Sequence, residues 1–229
     1  MSTSPDHNRT LLERVRHQWG GTSDLWVFGY ASLIWRPDFP SVEQRMARVH
    51  GWHRGLRMRS RVNRGTPERP GLVFALLPGG ACRGVAFRIA ADVAAGELER
   101  LWQREMPNPV YDPRWLACRT AAGPVRALAF TLPRRHEAHL GRLPDARMLE
   151  ILRHAVGRYG STLQYLVETA QALRERGIVD ADVERLMALA ARAGLIQSSP
   201  AAARAAARSS SVSTSSRMPG SSTSTPTAG

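Results

Sequence analysis

Leu25-Trp26-Val27-Phe28-Gly29-Tyr30-Ala31-Ser32-Leu33 is the stretch whose reading decides the fold of this chain. Residues 25–28 are continuously apolar, and the run stops at a glycine, the pattern of a short buried strand passing into a tight turn. Such a turn can aim successive backbone N–H groups into one concavity, and Ser32 adds a hydroxyl that both donates and accepts. By composition alone an ordinary tight turn is the better reading. A serine nucleophile fits poorly, because no G-x-S-x-G elbow surrounds Ser32 and no ordered His and Asp accompany it.

Upstream of this strand, residues 1–23 read as a polar lead-in with a short amphipathic helix over 10–19, its apolar face made by Leu11, Leu12, Val15 and Trp19. Downstream, 42–61 reads as strand, with Gly51 and Gly55 marking bulges or close approaches, and 64–71 is dense enough in turn residues to be a loop. Two strands are expected at 72–77 and 83–89, joined by a turn at Pro78-Gly79-Gly80. A helix over 92–104 follows, then a hairpin of 115–120 and 125–131 about Gly123-Pro124. After Pro144 the pattern becomes helical over 146–159, 161–176 and 180–193, with Gly160 and Gly177 as stops. Residues 24–197 are therefore expected to form one α+β domain, a small barrel-like mixed β-sheet with flanking helices. Residues 198–229, Ala/Arg-rich and then Ser/Thr/Pro/Gly-rich, have the composition of a disordered tail.

The 229 residues carry a net charge of +13, yet every basic residue is arginine and none is lysine. The arginines are scattered through the expected helices, strands and loops, without a recognition helix, RNP-like strand or zinc module. The field suits small anionic substrates better than nucleic acid. No apolar run approaches the ~20 residues of a membrane span, and residues 1–21 lack a secretory pattern. Cys82 and Cys118 fit reduced thiols in the cytoplasm. His50/His53 and His136/His139 lack further ligands at metal spacing, so no metal is expected. Oligomeric state is not legible.

Glu105 is the residue out of place. Leu98, Leu101 and Trp102 form the apolar stripe of the 92–104 helix, and Glu105 continues it where Leu or Met is expected. A core-facing carboxylate is costly unless paired or used, and burial raises its pKa toward that of a general acid/base. An ion pair with Arg88 or with neighbours of Arg104 is the structural alternative. Met106-Pro-Asn-Pro109 ends the helix just beyond, which puts Glu105 at its mouth.

Residues 26–35, Trp-Val-Phe-Gly-Tyr-Ala-Ser-Leu-Ile-Trp, resemble the opening motif of the ChaC-like γ-glutamylcyclotransferases, normally a strand followed by Tyr-Gly-Ser-Leu and a Trp. The resemblance continues through Gly51-Trp-His-Arg54, residues 64–72, Arg104-Glu105, Tyr111, Gly157-x-x-Gly160 and Tyr165-Leu166, spanning about 25–195. It implies a barrel-like mixed sheet and release of 5-oxoproline from a γ-glutamyl peptide, glutathione first, with other γ-glutamyl amines as the alternative and no cofactor. The family's catalytic glutamate falls on Glu105 and its substrate-cradling turn on Tyr30, Ala31, Ser32 and Leu33, with Tyr111 and Tyr165 as pocket tyrosines. Arg64, or Arg69 beside it, suits the glycine carboxylate of glutathione through a bidentate pair. Ala31 stands where the family usually has glycine. A methyl there restricts φ > 0 and would turn one N–H away from the ligand, which leaves a catalytically silent scaffold as a further alternative.

Overall fold

The computed structural model describes residues 5–108 and 110–197. The expected disordered tail from 198 onward, like residues 1–4, lies outside the described residues. Helix α1 (Pro5–Trp19) buries Leu11 and Val15 and starts earlier than the apolar pattern suggested. The reason lies in Asn8, which donates to the Met106 carbonyl at 2.7 Å and accepts from the Trp102 indole at 2.8 Å. A polar residue thus ties the first turns of α1 to Trp102 and Met106, almost a hundred residues further along the chain.

Five strands close into a barrel in the order β1-β3-β2-β4-β5, completed by parallel contacts of β5 with both β1 and β3. They are β1 (Leu25–Gly29), β2 (Glu43–Ser60), β3 (Gly71–Ile89), β4 (Asp112–Thr120) and β5 (Gly123–Thr131). The expected pair of strands at 72–77 and 83–89 is one continuous strand, β3. Pro78-Gly79-Gly80 makes no hairpin turn. Gly79 and Gly80, at φ +104° and +74°, form a bulge opposite Gly51 of β2, at φ +79°, where the register steps from His50↔Ala81 to Trp52↔Pro78. A second bulge, between Leu56 and Met58, bends the same pair again. Two bends in long strands let a five-stranded sheet curl shut.

Helix α2 (Ser32–Trp35) follows β1, and α3 (Ala91–Glu105) connects β3 to β4 while burying Ala94, Leu98, Leu101 and Trp102. Helix α4 (Asp145–His154) is shorter than the expected 146–159. The chain instead forms the ribbon β6 (Val156–Gly157) and β7 (Gly160–Ser161), whose Arg158 and Tyr159 N–H groups donate to Val62 and Asn63 at 2.8 and 2.9 Å. Helical periodicity ran on through this segment, but packing against the 61–70 loop overrode it. Helices α5 (Thr162–Glu175) and α6 (Ala181–Arg192) then cover the sheet. Thr162, fully buried, accepts from the Leu72 N–H at 3.0 Å and donates to the Arg64 carbonyl at 3.1 Å. Those two bonds lock the loop that carries Arg64.

The loop closes so tightly that a Cβ on Gly65 would sit 2.0 Å from the Gly71 nitrogen and 2.7 Å from the Ser60 carbonyl oxygen. Gly65→Ala is expected to lower stability by at least about 2 kcal/mol, since backbone cannot yield as a side chain does. Gly96, inside α3 with nothing within 4 Å of its would-be Cβ, is expected to gain roughly 0.5–1 kcal/mol on replacement by alanine. Urea denaturation midpoints of the two variants check both signs.

Candidate active site

The strand-ending turn is built for close approach. A Cβ at Gly29 would lie 2.8 Å from the Phe87 ring, so only glycine lets β1 leave the sheet here. Ala31 adopts φ −143° and ψ −115°, so the position does not use the positive φ that would call for glycine. The methyl therefore does not bar the turn. The Ile34 N–H reaches the Ala31 carbonyl at 2.9 Å and the Arg36 N–H the Ser32 carbonyl at 2.7 Å, completing α2. The N–H groups of Ala31, Ser32 and Leu33 precede these bonds and find no acceptor among the described residues.

Beside the turn lie the three tyrosines. Tyr30 donates its hydroxyl to the Phe130 carbonyl at 3.0 Å, so its hydrogen bond with Tyr111 must be donated by Tyr111. Tyr165 has the Ser32 hydroxyl and the Phe74 backbone as hydrogen-bonding neighbours, and its ring packs on Trp35 and Phe74. All three phenols are buried or half-buried, and burial is the main reason each stays protonated. Tyr165 is pushed up to about 12, and Tyr30 and Tyr111 also lie above the usual phenol value. The Glu105 charge reinforces the shift in each of the three. The charge of one carboxylate is thus felt by all three phenols.

Glu105 is the last residue of α3, its side chain 16% exposed. Burial raises its pKa above 4.5 and Asp38 adds to the rise, against the opposing pull of Arg104. Arg104 Nε lies 3.1 Å from its Oε1. Arg88, the other candidate partner, is engaged elsewhere, with Asp24 at 2.6 Å and Glu43 at 2.9 Å. Arg64 is buried with its guanidinium 5.0 Å above the Tyr165 ring and 3.5 Å from Glu168. Burial lowers its pKa, with Glu168 opposing. Arg69 is exposed and apart from this group. A cleft of about 240 Å³ lined by Arg69, Glu150 and His154 contains none of the site residues.

A ChaC-like protein family model matches residues 25–193. This chain belongs to the ChaC-like family. Among similar proteins, an Escherichia coli K12 glutathione-specific γ-glutamylcyclotransferase is 33% identical over 164 residues, covering 71% of each chain. A human glutathione-specific γ-glutamylcyclotransferase 1 is 29% identical over 160 residues, covering 68% of this chain and 72% of its own. The crystal structure of a glutathione-specific γ-glutamyl cyclotransferase from yeast superposes with a TM-score of 0.65 at 22% identity, covering 73% of this chain and 94% of that one. That likeness establishes the barrel-with-helices fold.

In this ChaC-like chain the sequence pattern brought the Tyr30, Ala31, Ser32 and Leu33 turn, Glu105 and Arg64 to notice, the family resemblance added Tyr111 and Tyr165, and the fold gathers them around one aromatic group. It missed the arginines that frame the turn. Arg104 donates to the Arg36 carbonyl at 2.6 Å, to Asp38 at 2.8 Å and to the Ser32 hydroxyl at 3.5 Å, bracing α2 against α3. Arg54, buried on β2, donates to the Tyr30 carbonyl, to the Arg83 carbonyl at 2.6 Å and to Asp180 at 2.5 Å. Its only sequence signal was its place in the Gly51–Arg54 motif.

The raised pKa of Glu105 has a consequence for stability. Above the unfolded value the folded state holds the proton longer, so stability falls as pH rises through the folded pKa. Glu105→Gln is therefore expected to melt higher than the parent at pH 7.5, with the gain vanishing below about pH 4, where the carboxyl is neutral in both states. Thermal melts of the two proteins at both pH values test the sign.

Proposed function

We propose that this chain is a glutathione-specific γ-glutamylcyclotransferase, which closes the γ-glutamyl group to 5-oxoproline and releases Cys-Gly. The observation that carries the reading is the half-buried Glu105 carboxylate, its pKa raised by burial, facing three protonated phenols beside a turn of unpartnered N–H groups. The similar proteins named above, glutathione-specific by their names, support the choice of substrate.

The reaction is an intramolecular acyl transfer. The substrate's own α-amine attacks its γ-carbonyl, a C–N bond forms in a five-membered ring, and the amide C–N bond to cysteine breaks. Electrons balance without a redox partner, and the nucleophile comes from the substrate. The protein has to bend an extended chain, neutralise the amine, stabilise the oxyanion and supply a proton to the leaving nitrogen. Bending draws on the advantage of intramolecularity, up to ~7–11 kcal/mol in ideal cases. The apolar and aromatic walls from Trp35, Phe74 and Tyr165 restrict the substrate and exclude water.

Glu105 accepts the proton from the attacking amine and returns it to the departing nitrogen. A carboxyl with a raised pKa serves both steps, because it is a stronger base as the anion and still an acid once protonated. The N–H groups of Ala31, Ser32 and Leu33 receive negative charge, the α-carboxylate or the developing oxyanion, where one aimed donor contributes ~3–4 kcal/mol. The Tyr111 and Tyr165 hydroxyls, kept protonated by burial, add neutral donors around the γ-glutamyl group. Arg64 takes the glycine carboxylate. Its two polar contacts are both long, 3.5 Å to Glu168 and 3.5 Å to the Ser161 carbonyl, so a substrate carboxylate in a bidentate pair would compete well for the guanidinium. Buried, unbridged cysteines and the small substrate favour a cytoplasmic enzyme over a nucleic-acid-binding protein, and no helix among the described residues is long and apolar enough to cross a membrane.

Incubation with glutathione and with several γ-glutamyl dipeptides, followed by assay of 5-oxoproline, tests the reading, and product from glutathione alone is expected. Glu105→Gln keeps the shape but takes no proton, and is expected to lose ~10²–10⁴-fold in rate while keeping its circular dichroism. Arg64→Ala is expected to raise KM for glutathione by roughly tenfold or more, the worth of one charge-assisted pair, with a smaller change in kcat. An unchanged KM would remove Arg64 from carboxylate recognition.

A further inference from the structure

Arg54 stands outside the chemistry above yet is bonded to it through the backbone. Its side chain is 0% exposed, and its three nitrogens go to three places: Nε to the Tyr30 carbonyl, Nη2 to the Arg83 carbonyl and Nη1 to Asp180. A cation so deeply buried is costly unless paired, and Asp180 Oδ2 provides the pair at 2.5 Å. The other oxygen of Asp180 accepts from the Asp182 and Val183 N–H groups at 3.2 Å each, capping α6. One carboxylate thus divides its two oxygens between the start of a helix and the guanidinium.

The Tyr30 carbonyl shares its peptide plane with the Ala31 N–H. No peptide bond among the described residues is cis, so the two groups point in opposite directions. Holding the carbonyl on Arg54 therefore aims the Ala31 N–H away from Arg54. It also polarises the peptide, which strengthens that N–H as a donor. The Tyr30 side chain does not exert this control. Its hydroxyl is anchored at Phe130, which fixes the ring but leaves rotation about the Cα–C bond to be set by something else.

From this geometry we infer that Arg54 is a positioning residue for the cyclisation, acting through the Tyr30–Ala31 peptide, and that Asp180 at the head of α6 holds Arg54 in place. The inference rests on the cyclotransferase reading for its effect on rate, though not for its effect on the turn. Neither side chain touches substrate. Their loss misaims one donor and leaves the binding walls and Arg64 intact.

Asp180→Asn keeps an oxygen to cap α6 but offers Arg54 no second acceptor, and Arg54→Lys keeps the charge but not the three-way fork. Each folded variant is expected to lose ~10–100-fold in kcat for 5-oxoproline release, less than full removal of an oxyanion donor, with KM within about threefold. Asp180→Glu is expected to recover part of the loss. In ¹⁵N-alanine-labelled protein the Ala31 amide resonance, identified by its absence from Ala31→Gly, is expected to move in both variants. If Asp180→Asn does not fold, Arg54→Lys, which retains the ion pair, carries the same measurements. A folded variant with kcat within about threefold of the parent, a loss confined to KM, or an unmoved Ala31 resonance overturns the positioning role. A parent that releases no 5-oxoproline overturns the cyclotransferase reading instead, and the Ala31 resonance still decides the role of Arg54.

Discussion

An incomplete seam in the barrel governs the rest of the structure. Strand β3 is 19 residues long, and β1 covers only its last five, from Val85 to Ile89. The next strand partner on that side is Thr131 of β5, opposite Leu76. Between those points the edge of β3 has no strand to pair with, and backbone groups there must be satisfied some other way. The Tyr30 turn occupies the opening. Its ring reaches the Phe130 carbonyl, and Arg54 takes the carbonyls of Tyr30 and Arg83. A side-chain fork thus does what a sixth strand would have done. A strand would have sealed the barrel, whereas the fork leaves the turn's N–H groups without a strand partner.

That opening also accounts for the electrostatics. Glu105 arrives from the C-terminal end of α3, where the helix dipole is unfavourable to an anion, and the walls around it are aromatic. Burial, the dipole and nearby Asp38 all act against its charge, and Arg104 alone offsets them. The result is a carboxyl that gives up its proton less readily than a surface glutamate, next to phenols that do not give theirs up. The arrangement costs stability, as expected where a site needs a group held away from its preferred state.

The chemistry-bearing side chains were more legible than the framework. Glu105 broke a helical stripe, and its misplacement was visible from periodicity alone. The strand at 25–29 and the hairpin about Gly123 were visible too, because local turn chemistry and alternation agree there. Pro78-Gly79-Gly80 misled for a physical reason: the same residues suit a hairpin and a bulge, and only the partner strand decides. The helix over 146–159 failed for a similar one. Its periodicity continued past residue 155, but a Cβ at Gly157 would lie 2.4 Å from the Gly65 nitrogen, and that demand comes from a loop some ninety residues earlier. Arg54 was one of 32 arginines, and nothing local separates a seam-plugging guanidinium from a solvated one.

Ala31 shows why a backbone site tolerates a change that a side-chain site would not. Glycine at this position would matter if the turn needed positive φ, but Ala31 lies at −143°. Its contribution is an N–H whose direction belongs to the preceding peptide plane, set by the Tyr30 carbonyl and not by anything on the Ala31 Cβ. Ala31 is 5% exposed and packs with the core. A residue with a larger side chain would need space that the buried turn lacks, while a smaller one would only loosen it. The tolerance at position 31 is therefore steric and narrow. The directional requirement sits one residue upstream, on the carbonyl that Arg54 holds.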